Sequence, residues 1–426
     1  YPYEYGIAHD LPNSGKLLSE KHPLHVLAPN MPWDGKPVFC GENFSESGVG
    51  PYLASFGGDM PDTMANWFSV WRDFFRIRSR SMRMDGISSM APFTPIITLR
   101  HYYPVELFVS DYKEQYFAGT QMNLPVTIMH DNFLKEKLQL VWRIGDQSGE
   151  TSLDFAPGER KNVRLPAITL PEKSTVLPIR LELLKNGKSL QPQAIWIGKI
   201  SVIEKYNAKG KAAGVFHGDN ATEELLRYYG FTVKPVRPSD IPSDISFIAT
   251  TRLPENTSAL KAWTARGNTL MVMLNRPGVY RVANQDVQVR SHKDSHTFNI
   301  AEHDPLTAGL DDTLLRYWRN TDCRVMENAM VRPDSADYRS LMLCGDSSGL
   351  NFTSLLTEKS GRGTVVYTTL LMNECGKNIP AVGLLLRNAA RPVEQKATPR
   401  VAVLVRDSWL KLLQANRITV TDLAAA

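Results

Sequence analysis

The chain has little cysteine, and none of it in an arrangement that carries chemistry. Its four cysteines are Cys40, Cys323, Cys344 and Cys375. No two form a C-x-x-C pair and no histidine stands at zinc-ligand spacing from them, which excludes a structural zinc site. Each is read as a small buried hydrophobe. No apolar run reaches the ~20 residues needed to cross a bilayer. There is no G-x-G-x-x-G after a strand and no P-loop, so no cofactor is expected. Neither sign of charge dominates: 49 Lys and Arg against 44 Asp and Glu leave +5 over 426 residues, too little to point to nucleic acid. The run Arg76, Arg78, Arg80 and Arg83, interleaved with serine and methionine, is read as the solvated face of a helix. A leader peptide is also missing, but the chain opens on Tyr1 rather than Met. The start therefore reads as a cut, and the compartment stays open.

What is present is the composition of a globular protein, 42% hydrophobic and 22% charged, long enough at ~100–200 residues per domain for two to four domains. Residues 1–95 mix short apolar strands with one long helix. Lys36-Pro37-Val38-Phe39-Cys40-Gly41-Glu42 is nearly continuous in apolar residues, the pattern of a parallel strand buried on both faces. A glycine- and serine-rich loop follows. A helix is then expected over 62–84, with Trp67, Trp71 and Phe75 on one face. A short strand runs from Ile87 to Pro92-Phe93, completing a strand–helix–strand unit of parallel α/β structure.

Residues 96–206 read as all-β. Leu138, Leu140, Trp142 and Ile144 keep a period of two, as do Val126 and Ile128, and Asn186-Gly187 is a type I′ hairpin signal. Strands of this kind over about a hundred residues imply a β-sandwich. Residues 207–392 are read as alternating strand and helix. They hold strands at 212–217, 231–236, 245–250, 269–274 and 363–370. Helix 223–229 is capped by Asp219 or Asn220 and stopped by Gly230, and a second helix spans 258–266. This is an open α/β sheet of the flavodoxin or glutamine-amidotransferase type. Residues 393–426 are a polar linker and the start of a further α/β unit, with strands at 399–405 and 418–423.

The strongest candidate for chemistry is Glu42, at the carboxyl end of a buried parallel strand, where such folds place catalytic groups. The stretch from Lys36 to Asn43 resembles the seventh strand of retaining (β/α)8 glycoside hydrolases of the β-galactosidase and β-glucuronidase kind. On that resemblance Glu42 is the nucleophile, 62–84 is the seventh helix and 87–93 the closing eighth strand. Tyr1-Pro2-Tyr3-Glu4-Tyr5-Gly6 resembles the end of the sixth strand, so Tyr3 and Tyr5 face the sugar. Trp33 and Phe93 are candidate stacking walls, and Asn43 is a further substrate-side residue. A barrel end, then a β-sandwich, then an amidotransferase-like domain is the order of some large enzymes of this kind.

The resemblance implies an oligosaccharide or polysaccharide substrate; no metal, nucleic acid or membrane partner is expected from the cysteine spacing, the charge and the apolar runs, and of the open compartments a secreted or periplasmic one is favoured. Retaining glycosidases need two carboxyl groups. The family carries its acid/base after an Asn on the fourth strand, so that residue and the rest of the barrel are expected upstream of Tyr1 or on another chain. The 207–392 domain lacks the cysteine elbow of an amidotransferase, since strand 269–274 runs into Asn275-Arg276-Pro277-Gly278, and is read as non-catalytic. His303-Asp304-Pro305-Leu306 is read as a turn rather than a catalytic pair. The competing reading is a non-catalytic carbohydrate-binding or assembly module with a degenerate barrel.

Overall fold

A computed structural model describes the backbone of residues 39–43, 89–92, 400–403 and 419–422. It also describes residues 104–109, 113–190, 194–294, 296–319, 324–346 and 349–391, with side chains throughout except at 346 and 349. Within these the chain is multidomain and β-rich, as expected.

Strand β1 (Phe39–Asn43) pairs in parallel with β2 (Ser89–Pro92), with Phe39 opposite Ser89, Cys40 opposite Met90 and Asn43 opposite Pro92. Both fall within two or three residues of where the apolar runs put them. The expected helix over 62–84 lies outside the described residues. One parallel pair is not a barrel, and the described residues of this region show no further strands.

The next region is a sandwich of two facing sheets. One has the order β3 (Val105–Val109), β6 (Pro125–His130), β9 (Glu159–Arg164), all antiparallel. The other runs β4 (Gln115–Phe117), β13 (Ile195–Ile203), β11 (Thr175–Lys185), β7 (Glu136–Ile144), β8 (Gln147–Phe155), with β12 (Lys188–Ser189) on β11. The small pair β5 (Gln121–Met122) and β10 (Ile168–Thr169) closes one end. Leu138, Leu140, Trp142 and Ile144 are all buried in one core with Ile179, Leu181, Leu183, Val126 and Ile128, so the period-two reading holds. Strand β6 departs from it: all of Val126 to His130 is buried.

Two tryptophans on the inner face require glycine neighbours. Trp142 stands opposite Gly149, where a Cβ would lie 2.6 Å from its ring; a Cβ on Gly198 would lie 2.3 Å from Trp196. The hairpin from β11 to β12 turns on Asn186 and Gly187, at φ 52° and 72°, with Lys185 opposite Lys188, the type I′ geometry its sequence signals.

The third region is built on five parallel strands in the order β15 (Thr232–Val236), β14 (Ala212–Phe216), β16 (Phe247–Thr250), β17 (Thr269–Met273), β24 (Gly363–Thr368). Helix α1 (Asn220–Tyr228) and α4 (Pro380–Ala389), preceded by the single turn α3 (Met372–Cys375), cover one face. Helix α2 (Ser258–Ala265) covers the other. Ala213, Val215, Met271 and Met273 therefore face α1 and α4, while Phe216, Leu270 and Val272 face α2. Coverage on both sides explains strands such as Thr269–Met273, apolar at nearly every position. Asp219 caps α1 and Gly230, at φ 76°, follows its end, both as read.

The reading of 207–392 as alternating strand and helix fails over 278–360. There the sheet continues antiparallel through β23 (Gly349–Ser360), β21 (Met326–Val331), β19 (Val287–Asp294) and β18 (Gly278–Tyr280). β22 (Tyr338–Asp346) pairs with β23, and β20 (Phe298–Asn299) pairs with β22. No helix interrupts this stretch among the described residues. At the end of the chain β25 (Arg400–Val403) and β26 (Thr419–Asp422) form their own parallel pair and take no place in the large sheet. The expected linker between 393 and 398 lies outside the described residues.

The sandwich is fastened to the α/β region by polar groups and by Ile203, which ends β13 and packs into the α/β core. The buried side chain of Gln115 donates from Nε2 to the Leu314 carbonyl at 2.9 Å, and its Oε1 accepts from the Ala381 N–H at 3.0 Å. Ala381 is in the first turn of α4, where N–H groups have no partner within the helix, and Ile379 before it supplies no side-chain cap. Gln115 thus caps that helix from another domain. Beside it, Arg316 makes a two-pronged ion pair with Glu114.

Candidate functional site

Glu42 is the penultimate residue of β1 and Asn43 the last, level with Pro92 at the end of β2. Both strands run the same way, so this is a carboxyl end of a parallel pair, the position from which such folds present reactive groups. Tyr3, Tyr5, Trp33 and Phe93 lie outside the described residues, as does the arginine run at 76–83.

The α/β region offers a second place to look. Strands on either side of β14 are entered from opposite directions in the chain, so the crevice between β14 and β16 is the switch point where open α/β sheets bind ligands. Here one side chain ties together the two loops that border it. The buried Asp219 accepts through Oδ1 from Thr222 Oγ1 at 2.8 Å and more distantly from Thr222 N. Through Oδ2 it accepts from Thr251 N at 2.6 Å and Thr250 Oγ1 at 3.2 Å. The start of α1, which would otherwise attract an anion, already holds a carboxylate.

Among the described residues, no cysteine stands at the end of β17. After β17 the chain passes to Asn275, whose carbonyl accepts from Asn328. Cys344 is buried in β22 against Met326, Cys375 is buried in α3, and Cys323 lies outside the described residues. Asp304 behaves as a turn residue: Oδ1 accepts from Leu306 N at 2.9 Å and Oδ2 pairs with Arg339, while Leu306 and Leu310 enter the core.

Two polar groups went unremarked in the sequence. His292, Asp294 and His296 are spaced by two along one strand and its continuation, a pattern that puts all three on one face. His292 Nε2 lies 3.6 Å and His296 Nδ1 3.3 Å from the two oxygens of Asp294, and His292 stacks on Phe352. The carboxylate sits closest to His296, while the His292 ring is held by its stacking on Phe352. Among the described residues no group of His, Cys, Asp or Glu has the arrangement of a metal site.

The second group is Glu358, fully buried, which accepts from Asn284 N at 2.6 Å and from Tyr367 Oη at 2.9 Å. Burial raises its carboxyl above the ordinary range, against the opposing pull of those donors. Tyr367 is raised as well, by burial first and by the Glu358 charge second. The periodicity of β23 marks Glu358 only as one more strand position, and its partners lie on other elements.

No family model matches the chain, and no curated protein does. Three similar solved structures each match about a quarter of it. A β-glucosidase from Listeria innocua aligns at 13% identity over 24% of this chain and 16% of that enzyme, with a TM-score of 0.20. Native α-2-macroglobulin from E. coli aligns at 17% over 25% and 7%, with a TM-score of 0.22. The CARDB domain of the PF1109 protein from Pyrococcus furiosus aligns at 12% over 24% and 91%, with a TM-score of 0.20. Likeness of this extent assigns no activity to the chain.

Proposed function

We propose that the chain is part of a retaining glycoside hydrolase acting on β-linked, galactose-type glycans, with Glu42 as its nucleophile. The supporting observation is the position of Glu42 at the carboxyl end of β1, paired in parallel with β2. The Glu42 carboxylate attacks the anomeric carbon, and the glycosidic C–O bond breaks as a second carboxylic acid gives its proton to the leaving oxygen. Water then hydrolyses the glycosyl ester, with the second group acting as base. That group stands ~5–5.5 Å from the nucleophile in retaining enzymes. The family resemblance assigns it to an earlier strand than those read in residues 1–95. Tyr3, Tyr5, Trp33, Phe93 and Asn43 line the sugar side in this reading. The sandwich and the flavodoxin- or amidotransferase-like domain are accessory, a role supported by the Asp219 tie at the switch point and the lack of a cysteine at the carboxyl ends of the described parallel strands.

Glu42→Gln in the assembled enzyme is expected to lower kcat on aryl β-glycosides by ~10⁴-fold or more, with an unchanged thermal transition. Turnover near that of the parent would sink the assignment. Sugar binding with no turnover in either protein would favour the binding-module reading instead.

A further inference from the structure

The two ends of the sandwich are finished differently. At one end Thr175 lies opposite Val202 and Gln115 beside Ser201, and there the α/β region is fastened through Gln115 and Glu114. The other end carries the turn 131–135, the turn 156–158, the Asn186-Gly187 turn and Pro104, where the chain enters β3. The α/β region is fastened to the opposite end and leaves this one uncovered. On the turn between β6 and β7, Phe133 and Leu134 stand 94% and 70% exposed.

The turn beneath them is fixed. Asn132 Nδ2 donates to Glu136 Oε2 at 3.3 Å, His130 Nε2 lies 3.2 Å from the same oxygen, and Lys185 Nζ donates to Glu136 Oε1 at 2.8 Å. The Asn132 carbonyl accepts from Gly158 N at 3.2 Å, and Asp131 N donates to the Pro104 carbonyl at 2.6 Å. An adjacent apolar pair held out on a preorganised turn has the character of a docking knob rather than of a loose loop.

We propose that this knob is the seat on the sandwich for the upstream region of the same chain, residues 1–103. The Asp131–Pro104 bond ties the turn to the point where that region joins β3. The stretch just before it, residues 93–103, carries Phe93, Ile96, Ile97, Leu99, Tyr102 and Tyr103. An apolar partner is therefore covalently at hand, at an effective concentration that a separate molecule does not match. Docking there would set the orientation of the Glu42-bearing region against the sandwich. The proposal stands whether or not Glu42 is catalytic, and its test reads contact rather than turnover.

In the full chain, Phe133→p-benzoylphenylalanine is irradiated, digested and analysed by mass spectrometry, with and without anionic vesicles of phosphatidylserine and phosphatidylcholine. The expected result is a crosslink within one chain to a peptide from residues 1–103. Crosslinks only between two copies, only to lipid, or none at all overturn the proposal. Independently, Phe133→Ser combined with Leu134→Ser is expected to speed protease cleavage within 93–103 about tenfold. Unfolding of the sandwich should not shift, because both side chains lie outside its core. Unchanged cleavage overturns the proposal.

Discussion

The sandwich and the α/β region keep their ionisable groups in different places. The sandwich gathers its buried ionisable groups at one end, where Glu106 and His130 are buried near the Glu136–Lys185 pair, and its core from Leu107 through Trp142 to Val202 is apolar. The α/β region instead holds Asp219, Asp294 and Glu358 inside. For Asp219 the reason is connectivity, since parallel strands need crossovers whose ends must be pinned across the sheet; Asp294 and Glu358 stand instead on the antiparallel strands β19 and β23. One buried carboxylate accepts several N–H and O–H groups at once, as Asp219 does for two loops. Stability in the sandwich therefore rests on buried area, and in the α/β region also on completed polar contacts.

The sharpest way to break this contrast is Glu358→Ala. It strips Asn284 N and Tyr367 Oη of their acceptor in a buried site and is expected to cost about 3 kcal/mol in urea unfolding. An effect below about 1 kcal/mol would mean that the carboxylate is no pin. Its pH arm is separate. Burial raises the Glu358 carboxyl, so the folded state holds the proton more tightly than the unfolded state. That stabilisation is full below the ordinary value of 4.5 and is lost as pH rises through the raised one. Glu358→Gln, neutral throughout, should flatten stability against pH on that side.

Gln115→Ala leaves the Leu314 carbonyl and the Ala381 N–H without partners, at an expected cost of about 2 kcal/mol. Calorimetry should then resolve separate transitions for sandwich and α/β region; a single unshifted transition would show the joint to be held elsewhere. The smallest effect expected is Glu136→Gln in the sandwich, about 1 kcal/mol at neutral pH. The Lys185 hydrogen bond is the largest influence lowering the Glu136 carboxyl. Its contribution is present above 4.5 and is lost as pH falls through the lowered folded value. The two domains should thus lean in opposite directions with pH, the sandwich weakening toward acid and the α/β region away from it. Parallel pH profiles would erase the contrast.

Local chemistry made much of this fold legible in advance. Asp219 and Gly230 bracket α1, Asn186-Gly187 turns a hairpin, and the continuous apolar run ending at Glu42 is a parallel strand, because each rests on interactions a few residues apart. The antiparallel continuation over 278–360 was not legible. Period two marks β19, β22 and β23 as strands, but nothing local says that Met330 will face Thr353 rather than the next crossover. Gln115 was equally silent, since its partners lie 199 and 266 residues away. The His292, Asp294, His296 spacing, by contrast, was there to be read. Of the proposed sugar site, the backbone of Glu42 and Asn43 is described, and the aromatics that would complete it are not.

The joint at Gln115 also bears on how the chain is made. Ala381 leaves the ribosome 266 residues after Gln115, which at ~5–20 residues per second is a wait of roughly 13–53 s. The sandwich is fully synthesised long before its neighbour exists, and through that interval the surface destined for the joint meets water and chaperones. Glu114 and Gln115 are at home in water. A wholly apolar joint would have been an adhesive patch on every nascent chain, whereas here the apolar share includes Ile203 and the polar pair beside it stays inert until its helix arrives.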